Sequence, residues 1–206
     1  MLRRALPLVV VGLLVGLLGA CSGDDEPEAA ATSAPPEPGA NGSASASPSP
    51  SATPAADLPT GCDSMLPFTD LDRALGRPLF GRTVFTKGVP QPSIGRTGRV
   101  TCGYGLPANG RGAPPVEVGV STYTDVESAT RRVQATISQL RSTGATQAEA
   151  TVSGLPATVL GTATSFTVVL AQGSRTIAVT LQRSLRGNPD RAAVAVTERV
   201  VENLGQ

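Results

Sequence analysis

SFTVVLAQGSRTIAVTLQ, residues 165–182, decides the fold. Two strand-forming runs, Ser165 to Ala171 and Arg175 to Gln182, flank Gly173-Ser174. A two-residue joint with glycine first, between runs rich in Val, Ile, Leu and Thr, predicts a β-hairpin. Upstream, segments at about 148–153 and 156–162 repeat the strand pattern. Downstream, Asn188 is placed to cap a helix with Pro189 at its first position, where a missing N–H costs nothing. Ala193, Val196, Val200 and Leu204 form the apolar stripe of that helix.

Further out, Thr124-Asp125-Val126-Glu127 has the spacing of a capping box. Val126, Ala129, Val133, Ile137 and Leu140 follow at steps of three and four, so one face of a long helix is apolar. Arg131, Arg132 and Arg141 are expected to face away from it, and Gly144 to end it. Before that helix, Val116, Val118 and Val120 alternate with Glu117, Gly119 and Ser121, the period of a half-buried strand. Arg99 to Tyr104 reads as another strand. Pro90 to Gly98 and Pro107 to Pro115 read as loops. Thr69 to Gly76 predicts a short helix capped by Thr69, apolar at Leu71 and Leu75, and stopped by Gly76 and Pro78. The order is helix, strands, long helix, four strands, helix. It predicts one α+β domain, a mainly antiparallel sheet with helices packed mostly on one face.

Residues 1–60 are of another kind. Arg3 and Arg4 precede an unbroken apolar run from Leu6 to Leu18, and Gly19 and Ala20 precede Cys21. That is the layout of a secretory signal, and the run is short of the roughly 20 residues a permanent span needs. Leu18-Gly19-Ala20-Cys21 resembles the lipobox of bacterial lipoproteins. The resemblance implies cleavage before Cys21, lipid on Cys21 (a diacylglycerol thioether, with palmitate-type acylation), and anchoring on the extracytoplasmic face of the cell membrane. The other reading is a soluble secreted protein with a chance cysteine. Ser22 to Thr60 is Ala, Ser, Pro, Gly, Glu and Thr with almost no large apolar residue. Such a composition cannot bury enough surface to offset its ordering entropy, and as a flexible coil it spans roughly 35 Å r.m.s.. The expected organisation is therefore a signal peptide at 1–20, a lipidated N-terminus and disordered linker at 21–60, and a globular α+β domain at 61–206.

Charge and cysteine usage narrow the chemistry. Sixteen of the seventeen basic residues are arginine, the exception being Lys87. Residues 58–206 hold fifteen bases and ten acids, a net charge of +5, while six acids lie between Cys21 and Asp57. With few aromatics and no dense basic stripe, nucleic acid is not an expected partner. If Cys21 carries lipid, Cys62 and Cys102 remain, and two cysteines of an exported domain can pair in only one intramolecular way. The alternative is two buried free thiols. The forty-residue separation is unlike a C-x-x-C redox or metal pair, and the chain has no histidine, so neither a metal site nor a cofactor is expected.

Several motifs together, GCDSMLPFTDLDRALGRPL, RVTCGYG, TDVESATRRV and SGLPATVL, behind a lipobox and a Ser/Pro linker, resemble the small actinobacterial lipoproteins with a two-cysteine domain of unknown function. The resemblance implies a disulfide, a cell-envelope location and an α+β fold. It implies no catalytic residue and no ligand.

Without histidine, Ser-His-Asp and Cys-His sites are excluded. A Ser-Lys site would have to use Lys87, and carboxylate-pair chemistry would need two of the domain's ten acids in one cleft. The expectation is a non-catalytic binding or accessory module of the envelope, tethered through Cys21, with a protein or small ligand as partner. The alternative is an envelope enzyme with a carboxylate or Ser/Lys site. Loops 87–98 and 105–115 are expected to share one sheet end near Cys102. Arg96, Arg99, Tyr104 and Arg111 are then the candidate binding surface.

Overall fold

The computed structural model describes residues 57–185 and 187–205. The expected signal peptide, Cys21 and the expected linker up to residue 56 lie outside them. The elements run α1 (Cys62–Met65), α2 (Phe68–Leu75), β1 (Arg82–Gly88), a 3-10 turn (Pro92–Ile94), β2 (Arg96–Leu106), β3 (Val116–Tyr123), α3 (Val126–Ser142), β4 (Thr146–Val152), β5 (Leu155–Gly161), β6 (Ser165–Gln172), β7 (Arg175–Gln182) and α4 (Pro189–Leu204). The seven strands form one sheet in the order β1-β2-β3-β7-β6-β5-β4, antiparallel throughout. The α+β reading holds, with β1 and α1 as unforeseen additions.

The β6–β7 hairpin forms where the sequence placed it. Gln172 faces Arg175, and Gly173 supplies a φ of +57° at the first central position, as a II′-type turn requires. The β4–β5 hairpin turns on Ser153 and Gly154, with φ of +48° and +81°. Two left-handed residues in succession are the pattern of a I′ turn, and Ser153 is the one non-glycine residue with positive φ among the described residues.

Alternation sorts the side chains. Val116, Val118 and Val120 of β3, Val168 and Leu170 of β6, and Ile177, Val179 and Leu181 of β7 point to one face. There they meet Ala193, Val196 and Val200 of α4, Leu71 of α2, and Cys62 and Met65 of α1. Three of the four helices therefore share one face. The opposite face carries α3 on a smaller cluster: Ile137, Leu160 and Val169, with Val133, Leu140, Ala145 and Ala178 at its margin. Topology puts α3 there. It carries the chain from β3 past β7, β6 and β5 to the edge strand β4, a distance of about 19 Å, and seventeen helical residues span about 25 Å.

Two helix starts differ from expectation. The side chain of Asp125, not Thr124, caps α3: its Oδ1 accepts from Ser128 N at 2.6 Å. A carboxylate is the stronger acceptor there and suits the positive helix end. The α2 helix opens two residues early, with Pro67 at its N-cap position, so Thr69 lies in its first turn and caps nothing. Asn188 stands at the N-cap of α4 with Pro189 at its first position, although without a side-chain cap bond.

Cys62 and Cys102 are joined, with Cα atoms 5.6 Å apart. The bond ties α1 to β2 in the middle of the main core, so the pairing expected from the cysteine count is present.

Candidate functional site

The two loops expected to share a sheet end do not. The loop at 89–95 joins β1 to β2, and the loop at 107–115 leaves the other end of β2. The eleven residues between span about 33 Å. The expectation fails for a simple reason: one loop enters β2 and the other leaves it, so a single extended strand holds them at opposite ends of the sheet. Arg111 sits in the far loop, its N–H donating to Asn109 Oδ1 at 3.0 Å. It takes no part in a common surface with Arg96 and Arg99.

Tyr104 is a second correction. It is fully buried. Its hydroxyl lies 3.1 Å from the carbonyl oxygens of both Cys62 and Leu66, and its ring meets Phe68 edge-on at 5.8 Å. Burial, with the Asp63 charge adding to it, pushes the phenol well above its ordinary range. Tyr104 thus fastens the α1 segment to the sheet and offers nothing to a ligand. Alternation already implied this, since Tyr104 has the same parity as Cys102 and Val100, both buried.

Arg96 and Arg99 do come together, through a backbone irregularity. They are three residues apart, which on a regular strand would point them to opposite faces. The register slips between Arg96 and Gly98: Arg96 faces Tyr123, Gly98 faces Thr122 and Arg99 faces Ser121. This β-bulge turns both arginines onto the α3 face, the kind of re-aiming for which bulges are used. Gly98 faces the other way, against Leu58. The Arg96 backbone is held by paired bonds with Gln91, N–H to carbonyl in both directions, at 2.8 and 3.1 Å. Arg99 lies over Gly119, its Nε 3.4 Å from Thr101 Oγ1.

A third arginine, not among the expected site residues, completes the group. Arg132 of α3 lines the same cleft as Arg96 and Arg99, together with Ser121, Tyr123, Thr136 and Thr176. The cleft has a volume of about 110 Å³. Among the described residues none of the three guanidiniums is in an ion pair; the pairs present are Arg73–Asp70, Arg131–Glu127 and Arg199–Glu202. Asp125 at the start of α3 is engaged by the Ser128 amide and by the hydroxyls of Thr124 and Ser128, which hold its carboxyl below the usual range. The cleft lining contains no acid. Arg96 Nε is buried without a hydrogen-bond partner. A sequence signal for Arg132 existed. Arg131 has Glu127 one turn before it, whereas Arg132 has Ser128 and Thr136 at i−4 and i+4 and borders the apolar stripe at Val133.

A larger open cavity of about 760 Å³ flanks α3 on its other side, between that helix and strands β4–β6. Val126, 48% exposed although it belongs to the apolar stripe, forms part of its wall. Glu149 is the single charged residue in its lining. A third groove of about 490 Å³ runs between the 3-10 turn and α3, and Arg132 lines it as well as the arginine cleft. Chemically, the arginine cleft can hold an anion: guanidinium is permanently charged and presents a rigid fork of donors to oxyanions.

No family model and no curated protein matches the chain. Among solved structures, the extracellular domain of PknH from Mycobacterium tuberculosis aligns over 69% of this chain and 94% of that one. The TM-score is 0.46 and the sequence identity 10%.

Proposed function

We propose that the chain is a lipid-anchored, extracytoplasmic binding module without a catalytic step, and that the α3 face of its sheet is the binding surface. The observation that carries the binding reading is the convergence of Arg96, Arg99 and Arg132, from two ends of a bulge and a separate helix, on a cleft without an acid. Among the described residues that positive charge meets no ion-pair partner, and a ligand can compensate it. The cleft lining holds no carboxylate and no lysine, so it supplies donors to grip a group and no general base to activate the hydroxyls beside them. The address rests on the signal layout before Cys21. It is supported by the Cys62–Cys102 bond, which suits an oxidising compartment.

Two measurements test this. Expressed with its own signal, the wild-type chain should enter the detergent phase and begin at a lipid-modified Cys21, while Cys21→Ala should stay aqueous and lack lipid mass. Wild-type protein that starts elsewhere and carries no lipid refutes the anchor. For binding, the mature chain is heated with fractions of cell-envelope extract. At least one fraction should raise Tm for wild type and leave the Arg96→Gln/Arg99→Gln/Arg132→Gln chain unmoved. If every fraction shifts both proteins equally, or neither, the binding reading fails.

A further inference from the structure

We infer that the cleft between β2, β3 and α3 is a phosphate-binding site, with Arg96, Arg99 and Arg132 as its ligating residues. The inference rests on the binding-module reading and gives it a ligand class.

Charge is the first argument. Three permanently charged guanidiniums line a cleft that contributes no negative group. A carboxylate would return one charge. A phosphate monoester carries about −1.5 to −2 at neutral pH and three acceptor oxygens, so it matches three separate donors better in both charge and number. Size agrees. A cleft of about 110 Å³ has room for a few waters, each occupying about 30 Å³ of liquid, and therefore for one phosphate-sized group rather than a whole metabolite. Because Arg132 also lines the neighbouring groove of about 490 Å³, the body of a phosphorylated ligand can extend there.

Independent support comes from the cleft floor. Gly119 lies in the middle of β3, where glycine weakens a strand. The fold itself does not require it. Its φ is not in the left-handed region, and a Cβ added there would meet Arg99 Nη2 at 3.7 Å and the Ala178 carbonyl at 3.8 Å, ordinary contacts. What a side chain at 119 would take away is space beneath the guanidiniums. Strand-interior glycine is expected where a ligand approaches closely. Arg96, whose Nη2 lies 3.4 Å from the Val89 carbonyl, keeps a buried Nε without a partner, and the Ser121 and Thr176 hydroxyls line the same cleft.

The same phosphate chemistry could arrive on a free phosphorylated molecule or on an anionic lipid headgroup, and the experiment separates them. The mature chain carrying Cys21→Ser, so that no lipid anchors it, is titrated calorimetrically in low-salt, phosphate-free buffer. The probes are inorganic phosphate, glycerol phosphate and acetate; phosphatidylcholine vesicles with and without phosphatidic acid are tested by sedimentation. We expect glycerol phosphate to bind at least about tenfold more tightly than acetate. The Arg99→Gln/Arg132→Gln chain should lose about a hundredfold, each guanidinium contributing charge-assisted bonds. Gly119→Val should weaken binding while keeping every charge, and Arg141→Gln, on the same helix but outside the cleft, should bind as wild type. Sedimentation only with phosphatidic acid, lost in the double variant, assigns a headgroup; binding of glycerol phosphate without sedimentation assigns a free ligand. Equal affinity for acetate, or unchanged phosphate binding in the double variant, overturns the inference. So does an absence of phosphate binding by wild type at millimolar concentration. In those cases arginine-dependent stabilisation by envelope fractions, if observed, would leave the module reading standing.

Discussion

Replacing Tyr104 with phenylalanine removes one oxygen atom from the centre of the core and should be felt throughout the domain. The ring, its edge-on contact with Phe68 and its burial survive the change. What is lost is the hydroxyl that reaches the carbonyls of Cys62 and Leu66, each at 3.1 Å. The Cys62 carbonyl keeps a partner, since Leu66 N donates to it at 2.8 Å. Leu66 is fully buried, and its carbonyl loses the donor that Tyr104 supplies. A buried acceptor left unpaired costs about 1–3 kcal/mol, so the expected loss is about 2 kcal/mol, against the 5–15 kcal/mol typical of a whole domain. In a domain of this size each kcal/mol moves Tm by about 2–4 °C, which predicts a fall of about 4–8 °C. The phenol adds a pH signature. Its folded pKa is raised, chiefly by burial, so the unfolded chain ionises first, near pH 10. The contribution of Tyr104 to stability is complete below that pH and is lost as pH rises above it, by about 1.4 kcal/mol per unit. Denaturant midpoints of wild type and Tyr104→Phe should therefore differ by a constant amount from pH 7 to 9 and converge between pH 10 and 11. A Tm change under about 1 °C, or a gap that stays constant to pH 11, would refute the placement of this hydroxyl and the reasoning built on it.

Two other stability predictions follow from single features. Replacing Cys62 and Cys102 together with serine opens a link across 40 residues and should cost about 4 kcal/mol by the loop-entropy model; alkylation of the denatured, unreduced domain should label neither cysteine, and label both after reduction. Ser153→Asn should raise stability by about 0.5–1 kcal/mol, because Asn-Gly suits a turn in which residues 153 and 154 both have positive φ; a lower Tm would mean that the serine hydroxyl does something not visible in the turn.

The parts of the fold that could be read in advance are those where burial imposes a period. In β3, β6 and β7 the two faces differ sharply in residue type, and α3 and α4 have stripes long enough to count. By contrast β1, RTVFTKG, is an edge strand exposed at most positions, with its two large apolar residues adjacent rather than alternating. Nothing in such a segment marks it as strand until its partner is known. The four residues of α1 complete barely one turn and leave no period to detect. The site was half legible for a related reason. Arg96 belongs to the Gly/Pro loop and Arg99 opens the next strand, but the bulge that aligns them depends on pairing with β3. Arg132 enters only through the packing of α3 across the sheet. Tyr104 lies next to a loop, but its parity with the buried Cys102 decides where its side chain goes.

Parity also separates the two tasks of the sheet. Along β3, Val116, Val118 and Val120 are fully buried against the α4 side, while Gly119 and Ser121, between and beyond them, line the arginine cleft. Along β7, Ile177, Val179 and Leu181 serve the core, and Thr176 and Ala178 line the cleft. The disulfide, Tyr104 and three helices reinforce the first face. The second is covered by one helix on a cluster with Ile137, Leu160 and Val169 at its centre, and the flanks of that helix stay open. A domain stabilised almost wholly from one side can keep small and polar residues on the other without losing its fold. The open flanks beside α3 are thus not packing faults: apart from Tyr123, the cleft-facing positions of β3 and β7 carry small residues, Gly119, Ser121, Thr176 and Ala178, where the same strands carry Val, Ile and Leu on their other face.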